Sequence, residues 1–216
     1  MTPRRTQGIQ SGPRSATVVS AVSGAVIDQL SAVGYPAMTM ESIARIAGVS
    51  RTTLYRRWPT KAALLATVVE PRLRSYDDFR PTGHTERDLV LLMQMLRDNA
   101  QRPDGRALYA AAGERSPELD VVIGRMLERM SAAFLRILRA PGAPCEDVNT
   151  QLDAAVHLLL HGTLTWEPTR GTPPTDQDLS NMVALVLRGW EATSSETPLP
   201  KAHSSDPQQA HDKGDS

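Results

Sequence analysis

The side chains best suited to binding chemistry in this 216-residue chain are a run of hydrogen-bond donors at positions 51–57. Arg51 and Arg56 carry guanidinium groups, which can donate two parallel hydrogen bonds to guanine, and the methyl group of Thr52 suits thymine. Tyr55 carries a hydroxyl group that can reach a phosphate and fix register without reading sequence. This concentration of donors in one short segment predicts contact with a nucleic acid.

Signatures of catalysis or of a metal centre are weaker. The sequence has no nucleophile-elbow, phosphate-loop, zinc-protease or dinucleotide-binding motif. His157 and His161 are four residues apart, a spacing that zinc sites use, but the nearest further candidates, Cys145, Asp153 and Glu167, are loosely placed. We interpret the histidines as a pair at a subunit interface or on a pocket wall, and we expect no enzymatic activity, no cofactor and no metal.

The segment at positions 39–65 predicts two short helices joined by a tight turn. Thr39 and Ser50 are of the types that cap helix N-termini. Between them, Gly48 permits a positive φ without a steric penalty, and Val49 is placed to be buried. This layout is a helix-turn-helix whose second helix carries the donors described above.

At these residues the chain strongly resembles the TetR/AcrR family of transcriptional regulators. The matching pattern is Gly34…Thr39-x3-Ile43-Ala44-x2-Ala47-Gly48-Val49-Ser50-x2-Thr53-Leu54-Tyr55-x2-Trp58-x2-Lys61-x2-Leu64-Leu65. Trp58 stands where the family often has Phe, which we interpret as a conservative packing change. Beyond this N-terminal part, the resemblance is only an all-helical layout of the right length.

The resemblance implies a role for each matching position. Arg51, Thr52 and Arg56 would face base edges, while Thr39, Tyr55 and Lys61 would bind phosphates near helix N-termini or from the recognition helix. Arg45 would reach the DNA backbone from the preceding helix. The complete expected DNA-binding set is Thr39, Arg45, Arg51, Thr52, Thr53, Tyr55, Arg56 and Lys61. Arg4, Arg5 and Arg14 are further candidates for contact with a phosphate or the minor groove. For Arg4 and Arg5, a solvated surface role is favoured over such contact.

Helical periodicity dominates the rest of the chain and predicts an all-α protein of about nine helices. The expected division is a flexible basic arm at 1–13, the DNA-binding domain at 14–74, a ligand-binding and dimerisation domain at 75–193 and a disordered tail at 194–216. Gly34 should stop the first helix. Pro71 should end or kink the fourth near Glu70.

The resemblance also implies two features of the C-terminal domain. One is a small-molecule pocket between the middle helices, with candidate lining residues Met93, Leu96, Tyr109, Met126, Met130, Phe134 and His161. The other is a homodimer interface formed by the last two helices, with candidates Leu152, Val156, Leu159, Val183, Val186, Leu187 and Trp190. Both sets have a plainer alternative, because methionine and leucine stripes at helical spacing also build ordinary cores.

Charge and composition agree with a DNA-binding regulator. The net charge is zero, yet the chain through Arg74 holds roughly 10 Lys/Arg against 3 Asp/Glu, so the remainder is acidic. No apolar run approaches the roughly 18 residues of a membrane span, no secretory signal is evident, and the single cysteine excludes an intrachain disulfide. We expect a cytoplasmic homodimeric repressor that leaves a palindromic double-stranded operator when a small molecule binds. The alternative is a helical ligand- or protein-binding module without specific DNA readout.

Overall fold

A computed structural model describes residues 13–113, 116–139 and 149–195. Every regular element in these ranges is an α-helix, which confirms the all-α prediction. The elements are α1 Pro13–Ala37, α2 Met40–Ile46, α3 Arg51–Arg57, α4 Lys61–Asp78, α5 Thr85–Gln101, α6 Pro103–Ala112, α7 Pro117–Leu138, α8 Asn149–Arg170 and α9 Asp176–Ser195. The expected arm lies outside the described ranges except for its last residue, and the expected tail lies outside them after Ser195.

Side-chain caps set the starts of α2, α3 and α4. The hydroxyl groups of Thr39, Ser50 and Thr60 each accept a hydrogen bond, at 3.1 Å, from the backbone N–H three residues later. Each of these bonds satisfies one of the donors that an α-helix leaves unpaired at its N-terminus. The caps that the sequence predicts at Thr39 and Ser50 are therefore confirmed, and Thr60 caps α4 in the same way.

Two glycines with positive φ turn the chain where the sequence predicted breaks. Gly34 has φ 75° and ψ 171°, which interrupts the helical conformation of α1 three residues before its end. Gly48 has φ 66° in the turn between α2 and α3, and the following Val49 N–H bonds back to the Ala44 carbonyl at 3.0 Å. The left-handed conformation is accessible to glycine at little cost, so these turns need that residue type.

The prolines at 71 and 168 do not end their helices. Of the two outcomes expected at Pro71, an end of the helix near Glu70 is wrong, because α4 continues through Pro71 to Asp78, while a kink there stays a prediction. Helix α8 likewise continues past Pro168 to Arg170. A proline removes one intrahelical hydrogen bond, but tertiary packing can hold the helix through it. Val69, Leu73 and Tyr76 are buried on both sides of Pro71 and supply that packing.

A continuous core joins the N-terminal helices to the C-terminal ones. Helix α1 packs on α2, α4 and α6, while α5 packs on α6, α7, α8 and α9. Among the described helices, the segment Ser15–Ala37 is long and apolar enough to cross a membrane by length and composition. Its Val22, Val26 and Leu30 are buried against the neighbouring helices.

Candidate nucleic-acid interface

Helix α3 presents one polar face to solvent and buries the opposite face. Arg51, Thr52, Tyr55 and Arg56 are exposed, whereas Leu54 is fully buried. Thr53, also in the expected set, is half-buried and its hydroxyl lies 2.9 Å from that of the capping Ser50. The structure therefore places four of the expected recognition-helix side chains on one accessible surface, while Thr53 supports the helix start.

Trp58 fixes the angle at which α3 meets α4. Its indole is buried and its Nε1 donates a hydrogen bond of 2.8 Å to the hydroxyl of Thr67. The Arg57 guanidinium lies 5.2 Å from the centre of the indole ring and donates to the Ser15 hydroxyl of α1 at 2.9 Å. Arg57 is thus held against α1 and the Trp58 ring.

Helix α2 packs beside α3 and contributes Thr39 at its N-cap and Arg45 in its last turn. Thr39 and Arg45 are both exposed. The Ser42 hydroxyl accepts a hydrogen bond from the Thr39 hydroxyl and donates one to the Gln29 side chain of α1 at 2.7 Å. These bonds anchor the turn to the long helix. Contact of Thr39 and Arg45 with the DNA backbone stays a prediction.

One residue at this surface escaped sequence reasoning. Glu41 of α2 accepts a hydrogen bond from the Tyr55 hydroxyl at 3.3 Å, and its carboxylate lies 3.8 Å from the Arg51 guanidinium. The contact spans the turn between two helices, and no spacing rule within one helix would have revealed it. An acidic side chain therefore stands among the exposed donors.

Lys61 occupies the junction between α1 and α4. Its ammonium group donates to the backbone carbonyls of Tyr35 at 3.0 Å and Pro36 at 3.4 Å, and lies 4.6 Å from the Tyr35 ring centre. Burial raises the pKa of Tyr35, with a smaller contribution from Glu118. Contact between Lys61 and a phosphate stays a prediction. Arg4, Arg5 and the side chain of Arg14 lie outside the described part of the chain.

Five consecutive helices, α4 to α8, line an apolar cavity of about 230 Å³, which is called the cavity between α4 and α8 below. Five of the seven expected pocket residues line it: Leu96, Tyr109, Met126, Met130 and His161. The other two, Met93 and Phe134, do not line the cavity, because both are fully buried in the interhelical core.

Three polar side chains that line the cavity come from α4 and α5. Arg72 forms an ion pair with Asp104 of α6 and donates to Asn99 at 3.5 Å, and Asn99 donates to the Tyr76 hydroxyl at 3.2 Å. Burial raises the pKa of Tyr76. Sequence analysis had assigned Arg72 to the DNA-binding domain, so only the tertiary structure shows that α4 contributes to the cavity.

His157 and His161 lie side by side with their rings tilted by 36°. Their ring centres are 4.2 Å apart, and burial, with the neighbouring His157, lowers the pKa of His161. Glu167 accepts a hydrogen bond from Gln101 of α5. Within the described ranges no group of three potential metal ligands occurs, while Cys145 lies outside them.

An apolar groove of about 460 Å³, separate from the cavity, runs along α8 and α9. Of the expected interface residues, Leu159, Val186 and Trp190 line it, and Val186 is only partly buried. Leu152, Val156 and Val183 are buried in the subunit, and Leu187 packs against the core from a half-buried position. Among the large apolar side chains that the structure describes, Leu158 and Leu185 are the most exposed, at 61% and 69%, and neither was in the expected set.

Comparison with known proteins places this architecture in a regulatory family. The model for "Bacterial regulatory proteins, tetR family" matches residues 25–68, from α1 into α4. The DNA-binding transcriptional repressor TetR of Mycobacteroides abscessus is 33% identical over 170 residues, which cover 71% of this chain and 83% of that relative. The HTH-type transcriptional regulator AqdR of Rhodococcus erythropolis is 30% identical over 194 residues, covering 88% and 93%.

A solved structure agrees with these sequence matches at the level of the fold. The chain aligns with NalD of Pseudomonas aeruginosa, the secondary repressor of the MexAB-OprM multidrug efflux pump, with a TM-score of 0.63. The alignment covers 82% of this chain and 96% of NalD at 17% identity, which supports the fold alone. Helix order, the turn at Gly48 and the two relatives together show that this chain belongs to the TetR family of DNA-binding transcriptional regulators.

Proposed function

We propose that this regulator is a cytoplasmic homodimeric repressor that binds a palindromic operator and releases it when a small molecule enters the cavity. The observation that carries the proposal is the exposed face of α3, where Arg51, Thr52, Tyr55 and Arg56 project while Leu54 anchors the opposite face. A short, rigidly supported helix with such a face fits the major groove of B-form DNA.

Each polar group at this surface has a distinct expected task. Arg51, Thr52 and Arg56 contact base edges, and Tyr55 contacts a phosphate. Thr39, Arg45 and Lys61 hold the backbone on either side of the groove. Thr53 acts through the cap of α3, because its hydroxyl is directed to Ser50.

Two copies of the chain are needed to reach two half-sites, whose centres lie about 34 Å apart or more along the duplex. The groove along α8 and α9 supplies the surface that joins them. Leu158 and Leu185 expose more than half of their side-chain area there, and a matching face on a second copy would remove it from water. A twofold arrangement of recognition helices requires a palindromic operator.

The helices around the cavity connect it to the DNA-binding part. Val69 and Tyr76 line the cavity from α4, the same helix whose first turn carries Lys61. Leu108 and Tyr109 line it from α6, which packs against α1. A ligand that prefers a slightly different spacing of α4 and α6 would shift the population toward dimers whose recognition helices no longer fit successive grooves.

The proposed function is tested by binding to duplexes from the DNA beside the chain's own gene. The wild-type protein should prefer one palindromic duplex, with an affinity that falls steeply as salt rises. The double variant R51A/R56A should lose that preference, at a cost of about 1–3 kcal/mol for each lost base contact.

The matched control is R87A/R125A, which removes two exposed arginines from α5 and α7 and gives the same net charge. It should retain the preference. If the two double variants bind every duplex alike, and the wild type shows no preference either, the chain is a helical ligand-binding module without specific DNA readout.

A further inference from the structure

We propose that the cavity between α4 and α8 binds a neutral, apolar molecule about the size of two fused rings, whose single hydrogen-bond acceptor is met by the Tyr76 hydroxyl. This inference rests on the proposed function, since it names the class of molecule that would release the DNA. It concerns the particular side chains of this chain, and three observations carry it.

The first observation is the size and lining of the cavity. A cavity of about 150 Å³ lined by aliphatic and aromatic side chains holds a benzene molecule. The present cavity is about 230 Å³ and is lined mainly by apolar side chains, including Leu73, Leu96, Met126 and Met130. Methionine thioethers also make favourable contacts with aromatic rings. These dimensions suit two fused six-membered rings.

The second observation is an unused donor on a buried side chain. Tyr76 is 2% exposed and lines the cavity. Its oxygen accepts the hydrogen bond from Asn99, but no acceptor among the described residues takes its own proton. A ligand that brings a carbonyl or ether oxygen to this point would accept that proton and add a hydrogen bond.

The third observation is that the cavity offers no uncompensated positive charge. Arg72 is paired with Asp104, whose side chain is only 10% exposed. Burial and His157 lower the pKa of His161, which disfavours the charged form of its ring. A carboxylate entering the cavity would lose its hydration without gaining a free cation, which disfavours anionic ligands.

The test uses three bicyclic probes of nearly equal size and titration calorimetry on the full-length protein without DNA. 1-Tetralone carries one carbonyl group, tetralin has no acceptor, and 2-naphthoate carries a negative charge. We expect 1-tetralone to bind at least fivefold more tightly than tetralin, since one hydrogen bond contributes about 1 kcal/mol. 2-Naphthoate should bind most weakly. Equal binding of tetralone and tetralin, a preference for naphthoate, or binding of no probe overturns the proposal.

Two variants separate the Tyr76 hydroxyl from general effects on the cavity. Tyr76→Phe should abolish the preference for tetralone over tetralin while leaving tetralin binding unchanged. Tyr35→Phe is the matched control, because Tyr35 is buried to a similar extent, at 3% exposed, but does not line the cavity, and it should keep the preference. Loss of the preference in both variants, or in neither, contradicts the assignment.

Asp104→Asn tests the charge argument independently of Tyr76. Removing the partner of Arg72 leaves a free guanidinium at the cavity, so binding of 2-naphthoate should strengthen by about tenfold or more. Unchanged naphthoate binding would overturn the role given to the ion pair. Because these titrations contain no DNA, their failure leaves the DNA-binding function standing, while loss of operator preference with intact probe binding would refute the proposed function alone.

Discussion

Glu41 and Tyr55 join the first helix of the helix-turn-helix to the second through a hydrogen bond of 3.3 Å between the tyrosine hydroxyl and the carboxylate. The same carboxylate oxygen lies 3.8 Å from the Arg51 guanidinium. Both partners of Glu41 belong to the expected DNA-contacting set. In the DNA-free protein, two donors of this surface therefore lie beside an internal acceptor that would compete with a phosphate.

We expect Glu41→Gln to strengthen binding to all duplexes by about two- to fivefold at low ionic strength. The substitution removes a negative charge beside the phosphates and frees Arg51, and one surface charge is worth up to about 1 kcal/mol. Fluorescence anisotropy at low and high salt measures the effect, which should shrink as salt screens the charge. Glu86→Gln, on the exposed side of α5, should leave affinity unchanged. Weaker binding by E41Q would show that Glu41 positions Tyr55 or accepts from a base.

Leu54→Ala should destabilise the N-terminal helices and abolish DNA binding without touching any DNA-facing atom. Leu54 has no exposed surface, and truncating a buried leucine costs about 2–5 kcal/mol. Urea unfolding followed by circular dichroism measures the loss. Val33→Ala, at a position that is 48% exposed, is the control and should change stability by no more than about 0.5 kcal/mol. Full stability with lost DNA binding in L54A would contradict this interpretation.

Local chemistry explains which parts of the molecule were predictable from sequence. The caps at Thr39 and Ser50 and the turn at Gly48 depend on neighbouring residues only, and the structure has each where the sequence indicates it. Passage of α4 through Pro71 was not predictable, because it depends on distant helices packing around it. The pairing of Glu41 with Tyr55 likewise depends on tertiary geometry.

The cavity also has a part that was predictable from sequence, its apolar wall, and a part that was not, its polar side chains. Its apolar methionine and leucine wall could be listed from helical periodicity, although that pattern did not separate lining residues from core residues such as Phe134. Its polar chain from Asp104 through Arg72 and Asn99 to Tyr76 joins three helices. No pattern within one helix encodes such a chain.

Leu185→Arg should convert the protein from a dimer to a monomer while leaving each subunit folded. Leu185 is 69% exposed, so a charged side chain costs little in the isolated subunit but would be buried opposite its partner in the proposed dimer. Size-exclusion chromatography with light scattering measures the mass. Operator affinity should fall with dimerisation, because a monomer reaches one half-site only.

Leu91→Arg is the control for the interface prediction. Leu91 lies on α5, outside the groove formed by α8 and α9, and is 39% exposed. The variant should keep the wild-type mass. A monomeric wild type, or a dimeric L185R with unchanged affinity, would refute the α8–α9 interface.

Arg129→Met should lower stability at neutral pH, and the deficit should shrink in acid. Arg129 of α7 donates to Glu70 at 2.7 Å and to Asp77 at 3.3 Å on α4, and these hydrogen bonds lower the pKa of both carboxyl groups. A lowered folded-state pKa adds stability above the unfolded values of about 4.3 for Glu and 3.9 for Asp, and that stability is lost as pH falls through the folded values.

Urea unfolding of the wild type and R129M at a fixed protein concentration measures the difference in free energy from pH 7 to pH 3. Because the three side chains are partly exposed, we expect a gap of about 1 kcal/mol at pH 7, equivalent to about 2–4 °C in Tm. The gap should narrow below about pH 4, where protonated carboxyl groups no longer attract Arg129 in the wild type. Arg125→Met, at an exposed position on the same helix, should show no gap at either pH. A deficit in R129M that is equally large at pH 3 would mean that Arg129 acts through packing of its aliphatic stem rather than through its charge.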